Sequence, residues 1–371
     1  QQEGQRIIER MPHVDLIVGT QNIYNIGGLL EKAVGKGRQV VTDLADDYVI
    51  PRFLPELTSS GGSGEVAPSP ASAPEFRKFV TIMQGCNNYC TYCVVPYTRG
   101  REVSRTVKDI LDEVKVLVEG GVREITLLGQ NVNSYGKTNT VAESNPVFCF
   151  ADLLRDVAGI KGLDRVRFTT SNPKDLTDEL MRCFGEIDNL CPQFHLPVQA
   201  GSDEVLKRMN RKYTISDYLS QVEKLRGYQP DIALTTDIIV GFPGETDNHF
   251  EGTMSLLEEV RFHGSFSFKY SDRPGTRASK FDDKVPEDVK TERLARFQKR
   301  QDEISLERNR DYVGKIKEVM VESAGDEKSM GRTSTNHIVH FDSGLRAAPG
   351  DIVRAKIVHA GQHSLKGQLV V

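Results

Sequence analysis

Three cysteines in one short segment are the residues most able to do chemistry. Cys86, Cys90 and Cys93 lie in the run Gly85–Cys93, separated by three residues and then by two. This spacing lets three thiolates converge on one metal centre from a single loop. A structural zinc site needs four protein ligands, and no fourth Cys or His follows nearby. Three thiolates suit a [4Fe–4S] cluster with one iron open to a non-protein ligand, and structural zinc is the alternative.

The other three cysteines have surroundings of a different kind. Cys149, Cys183 and Cys191 lie far along the chain in apolar or helical segments. Buried, inert thiols are typical of such positions. The sequence shows no basic-then-apolar leader, so we expect a reducing cytoplasm and free thiols rather than disulfides.

Composition limits the class of protein. The chain has 371 residues, a formal net charge of −4 and 38% hydrophobic residues. This length predicts two or three domains, each with its own core. The apolar content excludes wholesale disorder, and we expect no membrane partner because no run of 18 apolar residues exists.

The centre of the chain alternates between strand and helix patterns. Six strand-like runs are each followed by an amphipathic stretch, which indicates parallel strands with right-handed crossovers. Six units are too few for a closed eight-unit barrel, so we predict an α/β fold with a partial (βα)6 barrel. Its chemistry would lie at the carboxyl ends of the strands. The predicted strands are Phe79–Ile82, Glu124–Leu128, Arg165–Thr170, Gln193–Val198, Ala233–Val240 and Ser265–Tyr270.

The two ends of the chain differ from this centre. Residues 1–50 read as half of an α/β unit, and residues 51–78 contain a Ser/Gly/Ala/Pro-rich stretch that predicts a flexible linker. The (βα)6 domain is predicted over 79–308. Residues 309–371 show short strands separated by turns, which predict a small β-barrel.

The segment Phe79–Arg105 resembles the start of the radical S-adenosylmethionine domain of the methylthiotransferases. The resemblance implies that Cys86, Cys90 and Cys93 hold a [4Fe–4S] cluster. The open iron would be chelated by the methionine amino and carboxylate groups of S-adenosylmethionine. Tyr92 occupies the aromatic position before the last cysteine and would lie near the adenine.

Polar and glycine residues follow the other predicted strands. The family resemblance implies that the loop after the second strand contacts the methionine amino group, which makes Gln130 and Asn131 candidates. It also implies cofactor contacts from the later strand ends, although Glu245 equally suits a carboxylate at a helix N-terminus. These further cofactor-binding candidates are Ser171, Gln199, Gly241 and Glu245.

Arginines cluster beside the cysteine loop. Arg99, Arg101 and Arg105 could contact carboxylate or phosphate groups at the mouth of a site, or simply be solvated. Arg273 lies in the run Arg273–Thr276, which resembles the tRNA-acting branch of the family rather than the ribosomal-protein branch. We therefore treat all four as candidate substrate contacts.

The C-terminal segment resembles a TRAM domain, a small OB-like barrel that binds tRNA. Residues 309–371 contain nine Lys+Arg and seven Asp+Glu, so their own charge is only slightly positive. An RNA-binding module would present its basic residues on one face, with His and Tyr able to stack on bases. The basic candidates are Lys315, Lys317, Arg332, Arg346, Arg354 and Lys356.

The resemblance as a whole implies methylthiolation of a tRNA adenosine. The cluster would cleave S-adenosylmethionine to a 5′-deoxyadenosyl radical, which takes hydrogen from C2 of N6-isopentenyladenosine at position 37, beside the anticodon. A second, auxiliary [4Fe–4S] cluster would deliver the methylthio group. The implied partners are a tRNA anticodon stem-loop, a flavodoxin- or ferredoxin-like electron donor and a sulfur source.

One feature departs from the family pattern. The auxiliary cluster is held in the family by three cysteines of an N-terminal domain, and this chain has no cysteine before Cys86. We therefore expect an N-terminally truncated enzyme that cleaves S-adenosylmethionine without inserting sulfur. Two alternatives stay open: a methylthiotransferase for N6-threonylcarbamoyladenosine in tRNA, and a non-catalytic, zinc-binding RNA-binding protein.

Overall fold

The structure is a computed structural model. It describes residues 1–45, 48–52, 75–138, 149–325, 328–342 and 347–370. Within these ranges no helix is long and apolar enough to cross a membrane.

The N-terminal residues form a small α/β unit, as predicted. Strands β1 and β2 pair in parallel, with Leu16 opposite Gln39. The unit contacts the next domain, since the Thr20 hydroxyl donates to the carbonyl of Thr98 at 2.8 Å. Its elements are α1 (Gly4–Arg10), β1 (Leu16–Val18), α2 (Ile26–Lys36) and β2 (Gln39–Val41).

Six parallel strands form the partial barrel that the sequence predicts. They follow sequence order: β3, β6 and β7 form one sheet and β8, β9 and β10 another. A parallel bridge from Val166 to Leu190 joins the two sheets. The central strands are β3 (Arg77–Thr81), β4 (Met83–Gln84), β5 (Val103–Ser104), β6 (Glu124–Leu128), β7 (Arg165–Phe168), β8 (Gln193–His195), β9 (Ala233–Val240) and β10 (Gly264–Lys269).

Helices cover the outer face of this sheet and bury the main core. Thr106, Thr177 and Thr246 each begin a helix by accepting a backbone N–H on the side-chain oxygen, which satisfies an otherwise unpaired donor. The central helices are α3 (Val95–Arg99), α4 (Val107–Glu119), α5 (Phe150–Ala158), α6 (Asp178–Glu186), α7 (Asp203–Arg208), α8 (Ile215–Tyr228), α9 (Asp247–Val260) and α10 (Glu287–Arg310).

The edges of the barrel domain differ slightly from the predicted ones. Strand β3 begins at Arg77 rather than Phe79, because its pairing with β6 starts at Arg77 opposite Glu124. Helix α10 continues to Arg310, two residues past the predicted boundary. The Ser/Gly-rich part of the predicted linker lies outside the described residues, and Arg52 before it forms an ion pair with Asp112 at 2.9 Å.

The C-terminal residues close into a five-stranded barrel, which confirms the predicted small β-barrel. The strand order is β11-β12-β13-β15-β14. Its core includes Val319, Phe341 and Leu365. The strands are β11 (Ile316–Ser323), β12 (Lys328–Thr333), β13 (Ile338–Asp342), β14 (Ile352–Ala360) and β15 (Leu365–Leu369).

Two buried arginines fasten this C-terminal barrel to the amino ends of β6 and β7. Arg165 donates to the carbonyl of Arg332 at 2.8 Å, and Arg167 donates to the carbonyls of Thr333 and Ser334 at 3.0 and 2.9 Å. Arg167 also pairs with the buried Glu124 at 3.1 Å. The C-terminal barrel therefore lies at the end of the (βα)6 barrel opposite to the carboxyl ends of its strands.

The same interface buries two aromatic rings of the C-terminal barrel. Tyr312 is buried, and its ring centroid lies 4.6 Å from that of His337. His337 in turn contacts His263 of the (βα)6 barrel, with ring centroids 5.7 Å apart. Burial lowers the pKa of His337 to about 4, so this ring stays neutral. Tyr312 and His337 are therefore interface residues, and base stacking by this domain stays a prediction for its other histidines.

Replacing Arg167 by Met should destabilise the chain by about 3 kcal/mol, because it leaves the buried Glu124 carboxylate with only the more distant Arg165, at 4.0 Å. Urea unfolding followed by circular dichroism measures this free energy. Arg182→Met is the matched control: Arg182 is exposed and pairs with Asp178, so its loss should cost much less stability than the loss of Arg167. Equal losses in the two variants would contradict the role assigned to Arg167.

Candidate functional site

The three predicted cysteines lie together in the loop between β4 and α3, and all three are half-buried. Each sulfur accepts one N–H hydrogen bond at 3.4 Å. The donors are the Asn88 amide for Cys86, the Val95 backbone for Cys93 and the Arg211 guanidinium for Cys90. Hydrogen bonds to sulfur stabilise the thiolate form that binds metal.

Gly85 gives the loop its direction. Its φ of +83° lies in the left-handed region, and a Cβ there would collide with the carbonyl of Arg101. The backbone N–H of Gly85 donates to the side-chain oxygen of Gln130 at 2.7 Å. The loop after β6 therefore holds the start of the cysteine loop.

The chemistry of the cysteine loop fits an iron–sulfur cluster. Burial raises the pKa of the Cys93 thiol to about 11 and also raises that of Cys86, so both thiols need a cation to bind as thiolates. The three sulfurs interact electrostatically with one another. In the described part of the chain, no three Cys, His, Asp or Glu side chains are arranged to hold a single metal ion.

Gln130 lies beside this loop, and Asn131 follows it in the chain. Gln130 uses its side-chain oxygen to hold Gly85. The amide nitrogen of Asn131 donates to Asp175 at 2.7 Å, but its buried Oδ1 has no hydrogen-bond partner. An unpaired acceptor of this kind fits a ligand N–H, such as an amino group.

Glu102 is a buried carboxylate that the sequence did not single out. One oxygen accepts from the Ser134 hydroxyl at 2.7 Å, while Oε1 has no hydrogen-bond partner. Burial raises the pKa of this carboxyl group. In the sequence Glu102 follows Arg99 and Arg101 and resembles an ordinary surface charge. No feature of the sequence therefore indicated that it is buried at the site.

The remaining cofactor candidates are mostly engaged within the protein. Tyr92 is half-buried against the main core. The Ser171 hydroxyl donates to the carbonyl of His195. Gln199 is buried with a φ of +78°, and its backbone N–H bonds to Asp237 O at 2.9 Å. These residues shape the carboxyl ends of the strands.

Gly241 and Glu245 stabilise the turn after β9. The Glu245 carboxylate accepts from the Gly241 N–H and pairs with Arg293, both at 2.8 Å. A Cβ at Gly241 would collide with the side chain of Lys290. The predicted cofactor contact by Glu245 is wrong, because its carboxylate is buried and committed to Arg293. The alternative prediction, a carboxylate at a helix N-terminus, is closer to the structure, because Glu245 directly precedes Thr246, the N-cap residue of α9.

The four candidate arginines divide into two groups. Arg99, Arg101 and Arg273 are exposed, as substrate contacts would be. Arg105 is buried, pairs with Glu113 at 2.6 Å and donates to the carbonyl of Thr81 at 2.7 Å. The prediction of a substrate contact is therefore wrong for Arg105, which links β3 to α4.

Aromatic side chains are exposed on the concave face, the face of the β-sheet turned away from the outer helices. Ser267 of β10 contacts Gln298 of α10, so the neighbouring Phe266 and Phe268 lie on the concave side. They are 62% and 57% exposed. Phe266 packs edge-to-face on His195, with ring centroids 5.9 Å apart.

Comparison with known proteins gives matches over the whole chain. A model of the Radical SAM superfamily matches residues 80–257, and a TRAM domain model matches residues 310–370. A tRNA-2-methylthio-N(6)-dimethylallyladenosine synthase of Desulfotalea psychrophila is 60% identical, covering 100% of this chain and 80% of the relative. The chain belongs to this synthase family.

Further relatives carry the same name. The synthase of Clostridium botulinum strain Loch Maree is 47% identical over 99% of this chain and 78% of the relative. Among solved structures, the methyltransferase TsrM of Kitasatospora setae matches 54% of this chain and 38% of its own, at 17% identity and a TM-score of 0.44. Coproporphyrinogen III oxidase (HemN) of Escherichia coli matches 71% and 65%, at 15% identity and a TM-score of 0.46.

Membership of the synthase family and of the Radical SAM superfamily implies the two cofactors expected from the sequence, a [4Fe–4S] cluster and S-adenosylmethionine. The cysteine loop fits the cluster by its donor set and its N–H···S bonds. The unpaired oxygens of Asn131 and Glu102 provide acceptors close to that loop.

Replacing Gly85 by Ala should strongly reduce cluster loading, because the new Cβ would push the loop away from Arg101. Iron content and absorbance after anaerobic reconstitution measure the effect. Gly121→Ala is the control: its φ is +95°, but nothing lies within 4 Å of the new Cβ. That control should lose only about 1–2 kcal/mol of stability and keep its iron. Normal iron content in Gly85→Ala would refute the steric argument.

Proposed function

We propose that the chain is a radical S-adenosylmethionine methylthiotransferase. Its substrate would be N6-dimethylallyladenosine (isopentenyladenosine) at position 37 of tRNA, 3′ of the anticodon. The observation that carries the proposal is the three-cysteine loop, whose sulfurs each accept an N–H. Support comes from 60% identity over the whole chain to a relative named for this substrate.

The roles of the loop follow from its chemistry. Cys86, Cys90 and Cys93 would hold the [4Fe–4S] cluster. When bound, the cluster supplies the electron that cleaves S-adenosylmethionine to methionine and a 5′-deoxyadenosyl radical. The protein positions the reacting groups and excludes water.

The polar residues around the loop would bind the methionine end of S-adenosylmethionine. Asn131 Oδ1 and Glu102 Oε1 are buried acceptors without partners, and an amino group offers N–H donors to both. Gln130 would act by holding Gly85. Tyr92, in the loop itself, would lie near the adenine, while Ser171 and Gln199 would shape the floor of the site.

The concave face supports a dimethylallyl group rather than a threonylcarbamoyl group. Phe266 and Phe268 present exposed apolar surface, which suits a branched hydrocarbon. A threonylcarbamoyl group carries a carboxylate, and Asp237 lies on the same face, 3.3 Å from His195. A carboxylate beside Asp237 would meet like charge.

Contacts with tRNA would come from exposed cations on both barrels. Arg99, Arg101 and Arg273 are exposed and suit phosphate groups. On the C-terminal TRAM domain, Lys315 is exposed just before β11, and Arg354 and Lys356 are exposed on β14. The other predicted basic residues are occupied or undescribed: Lys317 lies 3.7 Å from Asp231, Arg332 pairs with Glu322 at 3.0 Å, and Arg346 is outside the described residues.

The cysteines outside the loop do not offer a second cluster site. Cys183 is buried and bonds to the carbonyl of Glu179 at 3.3 Å. Cys191 is buried, and Cys149 contacts Asp152 at 3.1 Å. We propose that this chain carries one cluster, so that the auxiliary cluster that delivers sulfur needs cysteines other than these six. An electron donor, a sulfur source and a cytoplasmic location belong to the same proposal.

Anaerobic reconstitution of this polypeptide tests the function. We expect about four irons per chain, as one [4Fe–4S] cluster requires. Dithionite and S-adenosylmethionine should then yield 5′-deoxyadenosine, and Cys90→Ala should abolish it. A colourless protein that binds only zinc would refute the radical enzyme, and about eight irons would refute the single cluster.

Replacing both Phe266 and Phe268 by Ala should reduce the preference for a dimethylallylated anticodon stem-loop over an unmodified one. We expect about a tenfold loss of preference, or about 1.4 kcal/mol, because apolar contact is removed. Fluorescence anisotropy with the two RNAs measures both affinities. Tyr24→Ala, an exposed aromatic of the N-terminal unit, is the control. An unchanged preference in the double variant would exclude these phenylalanines from the substrate contact.

A further inference from the structure

Arg211 stands apart from the other arginines near the site because its anionic neighbour is a cysteine. Its guanidinium donates to the Cys90 sulfur at 3.4 Å. Among the described residues no carboxylate forms an ion pair with it, and its other hydrogen-bond partners are neutral oxygens of Tyr213 and Pro197. Arg211 is therefore a cation that lies next to a metal-binding thiol and has no carboxylate paired with it.

Two other arginines near the site differ from Arg211 because each has a carboxylate partner. Arg105 and Arg293 are buried, and each pairs with a buried carboxylate, Glu113 and Glu245 respectively, whereas Arg211 is half-buried. A cation withdrawn from water is stabilised by a nearby anion. For Arg211 the permanent anions are the thiolate of Cys90 and the cluster that this thiolate would bind, and the carboxylate of S-adenosylmethionine is a further one only when that cofactor is bound.

The position of Arg211 is fixed on three sides. Its Nε donates to the Tyr213 hydroxyl at 2.7 Å, and another guanidinium nitrogen donates to the Pro197 carbonyl at 3.0 Å. The Tyr213 ring lies 5.1 Å below the guanidinium carbon. Tyr213 is itself buried and bonds to the carbonyl of Val198 at 2.9 Å. The remaining nitrogen is therefore held toward Cys90.

We propose that Arg211 is a positioning residue that sets the reduction potential of the cluster through its charge and its N–H···S bond to Cys90. Taking up one electron makes the cluster more negative by one charge, so a fixed cation nearby stabilises the reduced form. Arg211 thus raises the potential and makes reduction easier. This inference rests on the proposed cluster at Cys86, Cys90 and Cys93.

Redox titration of the reconstituted chain tests the proposal, with dithionite as reductant, electron paramagnetic resonance as readout and no S-adenosylmethionine present. In Arg211→Gln, the ratio of reduced to oxidised cluster at a fixed potential should fall at least tenfold, a 59 mV negative shift for one electron. Arg211→Lys keeps the charge and should shift less than half as far. Arg296→Gln, an exposed arginine paired with Glu251 on α10, should not shift.

Several outcomes would overturn the proposal. One is an unchanged potential in Arg211→Gln with full iron content. Another is an equal shift in the Lys and Gln variants, which would exclude the charge as the cause. A loss of S-adenosylmethionine affinity with an unchanged cofactor-free potential would make Arg211 a cofactor ligand instead.

A second variant keeps the test decisive if Arg211→Gln loads no iron. Tyr213→Phe removes the hydroxyl that orients Arg211 and leaves the charge in place. It should give a smaller negative shift, and an unchanged potential would overturn the positioning by Tyr213. Absence of any cluster in the unsubstituted chain would refute the proposed function itself, so the two failures are distinguishable.

Discussion

The close approach of the Gly85 main chain to the carbonyl of Arg101 is the constraint on which the site depends. No side chain fits between them, and the left-handed φ of Gly85 turns the chain from β4 into the cysteine loop. Gln130, at the end of the neighbouring strand β6, then binds the Gly85 N–H. The thiols are thus placed by two strand ends of the barrel. Two of the N–H donors to sulfur, Asn88 and Val95, lie within two residues of the cysteine they bind, and Arg211 comes from a distant segment.

The charged groups around this loop are of two kinds, those paired within the protein and those without a partner. Deeply buried cations that stabilise the barrel have carboxylates, as Arg167 has Glu124 and Arg293 has Glu245. Groups that face the site are left incomplete: Arg211 lacks an acid, and Glu102 has an oxygen without a donor. A buried charged group without a partner costs free energy, and binding of a ligand with complementary charges offsets that cost. Residues of the first kind maintain the fold, and those of the second kind are the ones proposed to act on the cofactors.

The sequence predicted the parts whose signal is local. The cysteine spacing, the six β-then-α units and the C-terminal barrel could all be recognised because each depends on neighbouring residues. Arg105 and Glu245 were misassigned because their partners, Glu113 and Arg293, are supplied by helices whose faces the pattern does not resolve. Arg211 and Glu102 were missed because a charged residue beside other charged residues resembles a solvated surface. The interface role of Tyr312 and His337 could not be predicted, because the sequence of a small barrel shows which residues are aromatic but not which side docks on a neighbour.

The contacts of Arg165 and Arg167 with the C-terminal barrel end on backbone carbonyls of Arg332, Thr333 and Ser334. Every amino acid offers the same carbonyl, so these particular hydrogen bonds do not depend on which side chains the three positions carry. The two arginines have no such freedom, because only a guanidinium reaches several acceptors at once. The joint therefore combines two kinds of contact: one that requires arginine on one side and only main chain on the other, and one, such as His337 against His263, that requires a particular side chain on each side.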